Sequence, residues 1–483
     1  MKFQHSSGYT ALLKDVCCKV GTNRLNPLCE VRLDIKTQTY CKDAPVGSAT
    51  VSEGMLLASG ICVGDTVDVI RVPNADGSVT VTQKTAVEVT PFENKLQLIY
   101  HGWPSCCAVD NGDGTQTVYA VGSGNRYRHV DPFGETWLYR GLVDVNGDVT
   151  WSDRIIVNKN KNYRDLRDAG IISLGNGKLV LTYFINATGL YLDVRDKSYV
   201  AWQNEQYLTP AQLEHIKATW DALDPAERGP GAFVQYSNDD GQSWSEPMRV
   251  PVSAPHGLSA LQNGELLYVG RCCAPEMITK DGIYACRGTV SYSESGDING
   301  IDWKVLAEIP YPSGYEPSTV IRLCEPHAIE LQDGTLLAVS RTHGTGDENL
   351  SVPFSYTMCS STSSDGGKSW TLHQPLGFTG APPHLLQLDD GAVILSYARR
   401  DKDRDRMNGT YGEYARISLD GGKSWGEEIC LGEVDAPNGD LGYPSTACLS
   451  KKDGAYELIT VYYGKFGGIN SFKYTTWCLK SEK

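Results

Sequence analysis

The chain of 483 residues is short of basic charge, of methionine and of long apolar runs, and each shortage narrows what it can be. With 44 Lys and Arg against 58 Asp and Glu, its net charge is −14. Phosphate recognition needs clustered cations, so neither nucleic acid nor an anionic membrane surface is expected as the general partner, although a local basic pocket is allowed. No stretch approaches the roughly 20 apolar residues of a membrane span, so no membrane insertion is expected. The opening MKFQHSSGYT has no apolar run behind Lys2, and a secretory signal peptide is not expected. No Cys-x-x-Cys pair stands at zinc spacing from histidines, and no metal or cofactor is called for. The 15 cysteines are an odd number that includes the neighbours Cys17-Cys18, Cys106-Cys107 and Cys272-Cys273; they read as buried, reduced thiols.

What is plentiful points to strands. Glycine (50) and tyrosine (26) suit tight turns and aromatic-rich sheets, whereas methionine numbers only 6. A repeat in two halves runs through most of the chain. The first half is an apolar run, an Asn-Gly or Asp-Gly turn and a second apolar run, as in GIISLGNGKLVLTYF from Gly170, GLSALQNGELLYVGR from Gly257 and AIELQDGTLLAVSR from Ala328. It returns as LLQLDDGAVILSYAR from Leu385 and TACLSKKDGAYELITVYY from Thr446. Such turns between alternating strands are a strong hairpin signal. The second half is Ser-x-Asp-x-Gly-x-x-Trp, at Ser237/Asp239/Gly241/Trp244, Ser363/Asp365/Gly367/Trp370 and Ser418/Asp420/Gly422/Trp425, with degenerate copies near 144–151 and 293–303. The Asp collects turn amides, Gly supplies positive φ and Trp packs beneath, a structural role.

Two hairpins make one four-stranded unit. Units beginning near residues 97, 168, 255, 325, 382 and 443 predict an all-β chain, a six-bladed β-propeller preceded by a small N-terminal β module. The boundaries are 1–92 for the module, serving attachment, oligomerisation or glycan binding, and 93–483 for the propeller. The last unit lacks an Asp turn, and a strand at 96–100 is expected to complete it. The insert 199–229 carries helical spacing in TPAQLEHIKATWDAL and is expected as a helix in the second blade.

The Ser-x-Asp-x-Gly-x-x-Trp turn is the Asp-box or BNR repeat, and over roughly residues 97–480 the chain resembles the sialidase superfamily. That resemblance implies a glycoside hydrolase with a retaining mechanism. GNRYRHVDPFGETW matches the segment that carries an arginine and then the general acid/base, here Arg126 and Asp131. CEPHAIELQDGTLLAVSR places Glu325 five residues before Glu330 and Arg341 eleven after it, where the family has the base and a carboxylate-binding arginine. GDLGYPSTACL places Tyr443 as the nucleophile, a phenol that needs an adjacent base. An aromatic sugar platform is the other reading of Tyr443.

The sequence also departs from the family. HGWPSCC carries Trp103 where the first of three substrate arginines would stand, and His384 occupies the entrance where a third arginine is missing. Arg164, Arg167, Arg271 and Arg399 are candidate substitutes, so the sugar need not be sialic acid. His256, His327 and His384 each follow a proline at the start of successive blades and are expected to ring the axis, as sugar donors, acid/base groups, a metal site or satisfied core histidines. Arg167 and Asp168 open the second blade at the same height. The expected partner is a carbohydrate, with glycosidase, non-catalytic glycan-binding propeller or adhesin, and polysaccharide lyase as competing functions. Glycan targets without a signal peptide suggest a virion-associated phage tail protein, acting as a homotrimer, or a cytoplasmic enzyme.

Overall fold

A computed structural model describes residues 2–4, 9–15, 47–50, 66–73, 79–83, 100–126, 129, 132–152, 154–160, 162–188, 210–274, 276–315, 321–344, 357–399, 412–433, 441–466 and 469–481. Six blades radiate around one axis, the first and last joined edge to edge in one sheet. The inner strands are Tyr100–Asp110, Leu166–Gly175, Ser259–Ala260, Ile321–Glu330, His384–Gln387 and Gly442–Lys452, and each blade winds outward antiparallel from there.

Alternation along the strands builds the ring. In the second strand of blade one, Val118 and Ala120 face blade six, while Tyr119 and Val121 face blade two. Four further apolar clusters fill the joints between blades two and three, three and four, four and five, and five and six. Successive side chains point to opposite faces and both faces are covered, which is why the strands read as near-continuous apolar runs. At roughly 25 cal/mol per Å² of apolar area, burial at each joint stabilises the closed ring over separate blades.

The three Ser-x-Asp turns are built alike at the outer edge. In the first, Gly241 N donates to Ser237 Oγ at 2.8 Å, Ser243 N to Asp239 Oδ1 at 2.8 Å, and Trp244 Nε1 to Gly241 O at 3.2 Å. The hydrogen bonds from Ser243, and its counterpart Ser369, hold Asp239 and Asp365 down at about 2. These carboxylates are consumed by their own turns.

Blade six takes its fourth strand from the N-terminal segment. Gly442–Lys452, Ala455–Phe466 and Ile469–Ser481 form three strands, and Tyr9–Asp15 supplies the fourth, antiparallel to Ile469–Ser481. Residues 96–99 lie outside the described residues, and Tyr100 pairs with Asn470 in parallel at the start of blade one. The segment before the propeller is therefore not wholly separate: residues 2–4 and 9–15 belong to this sheet, whereas Gly47–Thr50, Thr66–Pro73 and Val79–Gln83 form a three-stranded sheet of their own. The expected helix spans Pro210–Asp221, and Trp220 Nε1 donates to the carbonyls of Asn162 and Tyr163, which anchors it beside the entry to blade two. No helix among the described residues is long and apolar enough to cross a membrane. The ten cysteines among the described residues are all free thiols.

Candidate functional site

Four of the six inner strands break register just inside their entrance: between Gly102 and Ser105, Arg167 and Gly170, Cys324 and His327, and Gly442 and Ser445. The residue at each break is left-handed, with φ of +54° at Trp103, +54° at Asp168, +48° at Glu325 and +57° at Tyr443. Each such residue costs about 1–3 kcal/mol, and a glycine would avoid the cost. Three are followed by proline (Pro104, Pro326, Pro444), which disfavours helical backbone before it and leaves the ring to impose the geometry. A bulge re-aims a side chain. Here the bulges recur at one position on the inner strands of four blades, at Trp103, Asp168, Glu325 and Tyr443.

Tyr443 and Glu325, 118 residues apart, meet. Tyr443 Oη donates to Glu325 Oε1 at 2.6 Å, and Arg341 Nη1 donates to Glu325 Oε2 at 2.6 Å. The Glu325 side chain is 21% exposed and that of Arg341 13%, so both are largely buried yet still reach solvent, while Tyr443 is buried. Burial, the largest single influence, would lower the basicity of Arg341, but the charges of Glu325, Cys324 and Tyr443 and the hydrogen bond to Glu325 together outweigh it and hold the guanidinium above its ordinary range.

Trp103 and Arg126 take supporting places. Trp103 is fully buried, edge-on to Tyr443 with ring centroids 6.5 Å apart, and guanidinium groups lie against its ring from Arg167 at 3.9 Å and Arg126 at 4.7 Å. Arg126 is itself fully buried, paired with Asp165 and donating to Ser123 Oγ at 3.0 Å and the His129 carbonyl at 2.9 Å. Neither presents a surface to a substrate. Arg167 keeps a partly exposed guanidinium, as Arg341 does: it is 11% exposed, 3.8 Å from Asp165 and 3.6 Å from Asp168 Oδ1. A cation thus lies beside the blade-one position where the motif has Trp103 in place of arginine. Burial pushes the Asp168 carboxyl up to about 6, against the opposing pull of Arg167 and with help from the Glu325 and Asp165 charges. Asp131 lies outside the described residues.

The three histidines do ring the axis, one layer beneath. His327 and His384 stack at 4.5 Å, and His256 crosses them edge-on at 6.0 and 5.1 Å while lying 6.1 Å from the Tyr443 ring. His327 Nδ1 accepts from Leu385 N at 3.0 Å and His384 Nδ1 from Thr446 N at 3.3 Å, so each imidazole ties its inner strand to the next blade. Burial pushes His327 down to about 3 and His256 and His384 well below the ordinary histidine range, which keeps all three neutral. Beneath them the central channel opens into a cavity of about 650 Å³ lined by Ser105, Cys106, Gln262 and Gln332. No group of three His, Cys, Asp or Glu suited to a metal ion occurs among the described residues. A second cavity of about 750 Å³ lies between blades four and five around the Asp420 turn and shares Gln332 and Gln387 with the channel cavity.

Two members of the site carried no sequence signal. Asp165 is fully buried and holds Arg126, Arg167 and the Asn186 amide. His129 Nε2 accepts from Arg167 Nη2 at 3.4 Å, and its Nδ1 hydrogen-bonds with Tyr100 Oη at 2.8 Å. The recurrence of Trp-Pro, Glu-Pro and Tyr-Pro at the blade entrances was the available sign of the bulges.

The architecture is that of a six-bladed β-propeller with a polar site at the axial end where its inner strands begin. The chain belongs to the BNR repeat-like domain family, whose profile matches residues 143–457. Among solved structures it is similar in fold to a protein of unknown function from Dyadobacter fermentans, at 20% identity and a TM-score of 0.53, covering 79% of this chain and 95% of that one. It is also similar to a Hadza microbial sialidase, at 14% identity and a TM-score of 0.47, covering 89% of this chain and 71% of that one. An α-L-arabinofuranosidase from Fusarium graminearum stands at 14% identity and a TM-score of 0.47, covering 77% of this chain and 92% of that one. No curated protein matches the chain.

Proposed function

We propose that this propeller is a retaining glycoside hydrolase acting on a surface or capsular glycan. The observation that carries the reading is the 2.6 Å hydrogen bond from the Tyr443 hydroxyl to Glu325, whose second oxygen is held by Arg341. Tyr443 attacks the anomeric carbon and passes its proton to Glu325, because a neutral phenol is a weak nucleophile until a base removes its proton. The bond to the leaving oxygen breaks as an acid protonates that oxygen, a task the sialidase resemblance gives to Asp131. Water then attacks the glycosyl-tyrosine, and two inversions return the original anomeric configuration.

Arg167 and Arg341 favour an acidic sugar, since each keeps a partly exposed guanidinium. With Trp103 buried where the family has an arginine, sialic acid is not the favoured substrate. A non-catalytic glycan-binding propeller is the second reading, favoured by that same substitution. Virion attachment through the N-terminal segment, in a homotrimer, fits either reading and a target outside the cell.

The test is turnover of a panel of aryl glycosides by the wild-type protein and by Tyr443→Phe and Glu325→Gln. Both variants are expected to lose about 10²-fold or more in kcat/KM. Glycan binding with no product from any protein would support the second reading and sink the first, and wild-type rates in both variants would remove these residues from the mechanism.

A further inference from the structure

The nucleophile pair occupies blades four and six, and a retaining reaction also needs a proton donor facing it. Blade two carries the same left-handed bulge, and the residue at its break is Asp168, near enough to Glu325 for the two charges to interact. Its side chain is 18% exposed, enough to meet a ligand but deep enough for burial to disfavour its charge. Oδ1 accepts no hydrogen bond among the described residues, and Arg167 Nε stands off at 3.6 Å, an ion-pair distance beyond hydrogen-bonding reach. Arg167 is engaged elsewhere, lying against Trp103 at 3.9 Å and 3.8 Å from Asp165. An ionised carboxylate wants several donors, and this one has few; a protonated acid has a hydroxyl to give.

We propose that Asp168 is the proton donor to the leaving oxygen, in place of Asp131. The proposal rests on the glycosidase reading. Asp168 begins protonated and Glu325 ionised. As Tyr443 Oη bonds to the anomeric carbon, its proton moves to Glu325 and the Asp168 proton moves to the departing oxygen. In the second half, water gives a proton to Asp168 as its oxygen bonds to the sugar, and Tyr443 leaves with the proton returned from Glu325. One water is consumed, and both carboxyl groups end as they began. The charged groups acting on Asp168 are Arg167 and Arg126, which favour ionisation, and Glu325 and Asp165, which oppose it; with burial they raise the carboxyl to about 6, suited to donating a proton near neutrality.

The experiment compares Asp168→Asn and Asp131→Asn on 2,4-dinitrophenyl and phenyl glycosides of a sugar that the wild-type protein hydrolyses. A dinitrophenolate leaves without a proton and a phenolate does not. Asp168→Asn is expected to lose about 10²-fold or more on the phenyl glycoside while staying within a few-fold of wild type for glycosylation by the dinitrophenyl substrate. The alkaline limb of its kcat/KM profile should also disappear, a change that a purely structural role would not cause. Equal losses on both substrates, or the leaving-group signature in Asp131→Asn alone, would overturn the proposal while leaving the glycosidase reading intact. Failure of the wild-type protein to hydrolyse any glycoside would overturn both.

Discussion

Replacing Asp168 by asparagine is expected to stabilise the protein at neutral pH. Burial raises the folded carboxyl from 3.8 to about 6, so above pH 6 the native state holds a charge that it disfavours. Two pH units correspond to about 3 kcal/mol. The sign follows from proton counts. Between about pH 4 and pH 6 the folded state binds more protons at this site than the unfolded state, so stability falls as pH rises, and the full cost is present above pH 6. Asparagine carries no charge and tolerates the φ of +54°. Its gain should therefore be near zero at pH 4 and about 3 kcal/mol at pH 7.5. For a chain of 483 residues the unfolding entropy is about 1 kcal/mol/K, so the melting temperature should rise by about 3 °C at pH 7.5. Calorimetry of wild type and variant at both pH values reads the difference. A rise of equal size at both, or a fall at pH 7.5, would refute the electrostatic argument. Loss of activity with a gain in stability is the trade expected of a residue kept for chemistry.

The histidine layer acts with the opposite pH dependence. Burial holds His327 at about 3, far below the unfolded value, so stability falls by about 1.4 kcal/mol per pH unit at this one site as pH drops below about 6.5. The urea midpoint should fall steeply from pH 7 to pH 5, and His327→Gln should flatten that slope by about one proton; an unchanged slope would count against a neutral, buried imidazole. Gly170→Ala should destabilise by about 1–3 kcal/mol, because a Cβ there would lie 2.4 Å from Gly257 Cα and 2.6 Å from the His256 carbonyl carbon, backbone atoms that cannot swing aside. Denaturant unfolding measures it, and wild-type stability would mean that blades two and three can part.

The repeat in the sequence determined the ring because its two signals are local. An Asn-Gly turn between apolar runs makes a hairpin wherever it falls, and Ser-x-Asp-x-Gly-x-x-Trp closes its own hydrogen bonds within eight residues. Glu325, Arg341 and Tyr443 were legible by motif, and His256, His327 and His384 by their equal positions after proline. Tertiary structure alone decided the rest. By motif Arg126 matches the arginine before the acid/base and Trp103 stands where a substrate arginine would, yet Arg126 is neutralised by Asp165 from the entry to the next blade and Trp103 is covered by two guanidiniums, contacts that no spacing along the chain encodes. The closing strand came from residues 9–15, since any strand with a free edge can complete an unpaired one and only the ring's geometry chooses it. The environment of Asp168 likewise depends on burial and on the charges of residues such as Glu325, which the closed ring brings near it. Local pattern specifies elements; desolvation and charge depend on neighbours distant in sequence, and those exist only once the blades have met.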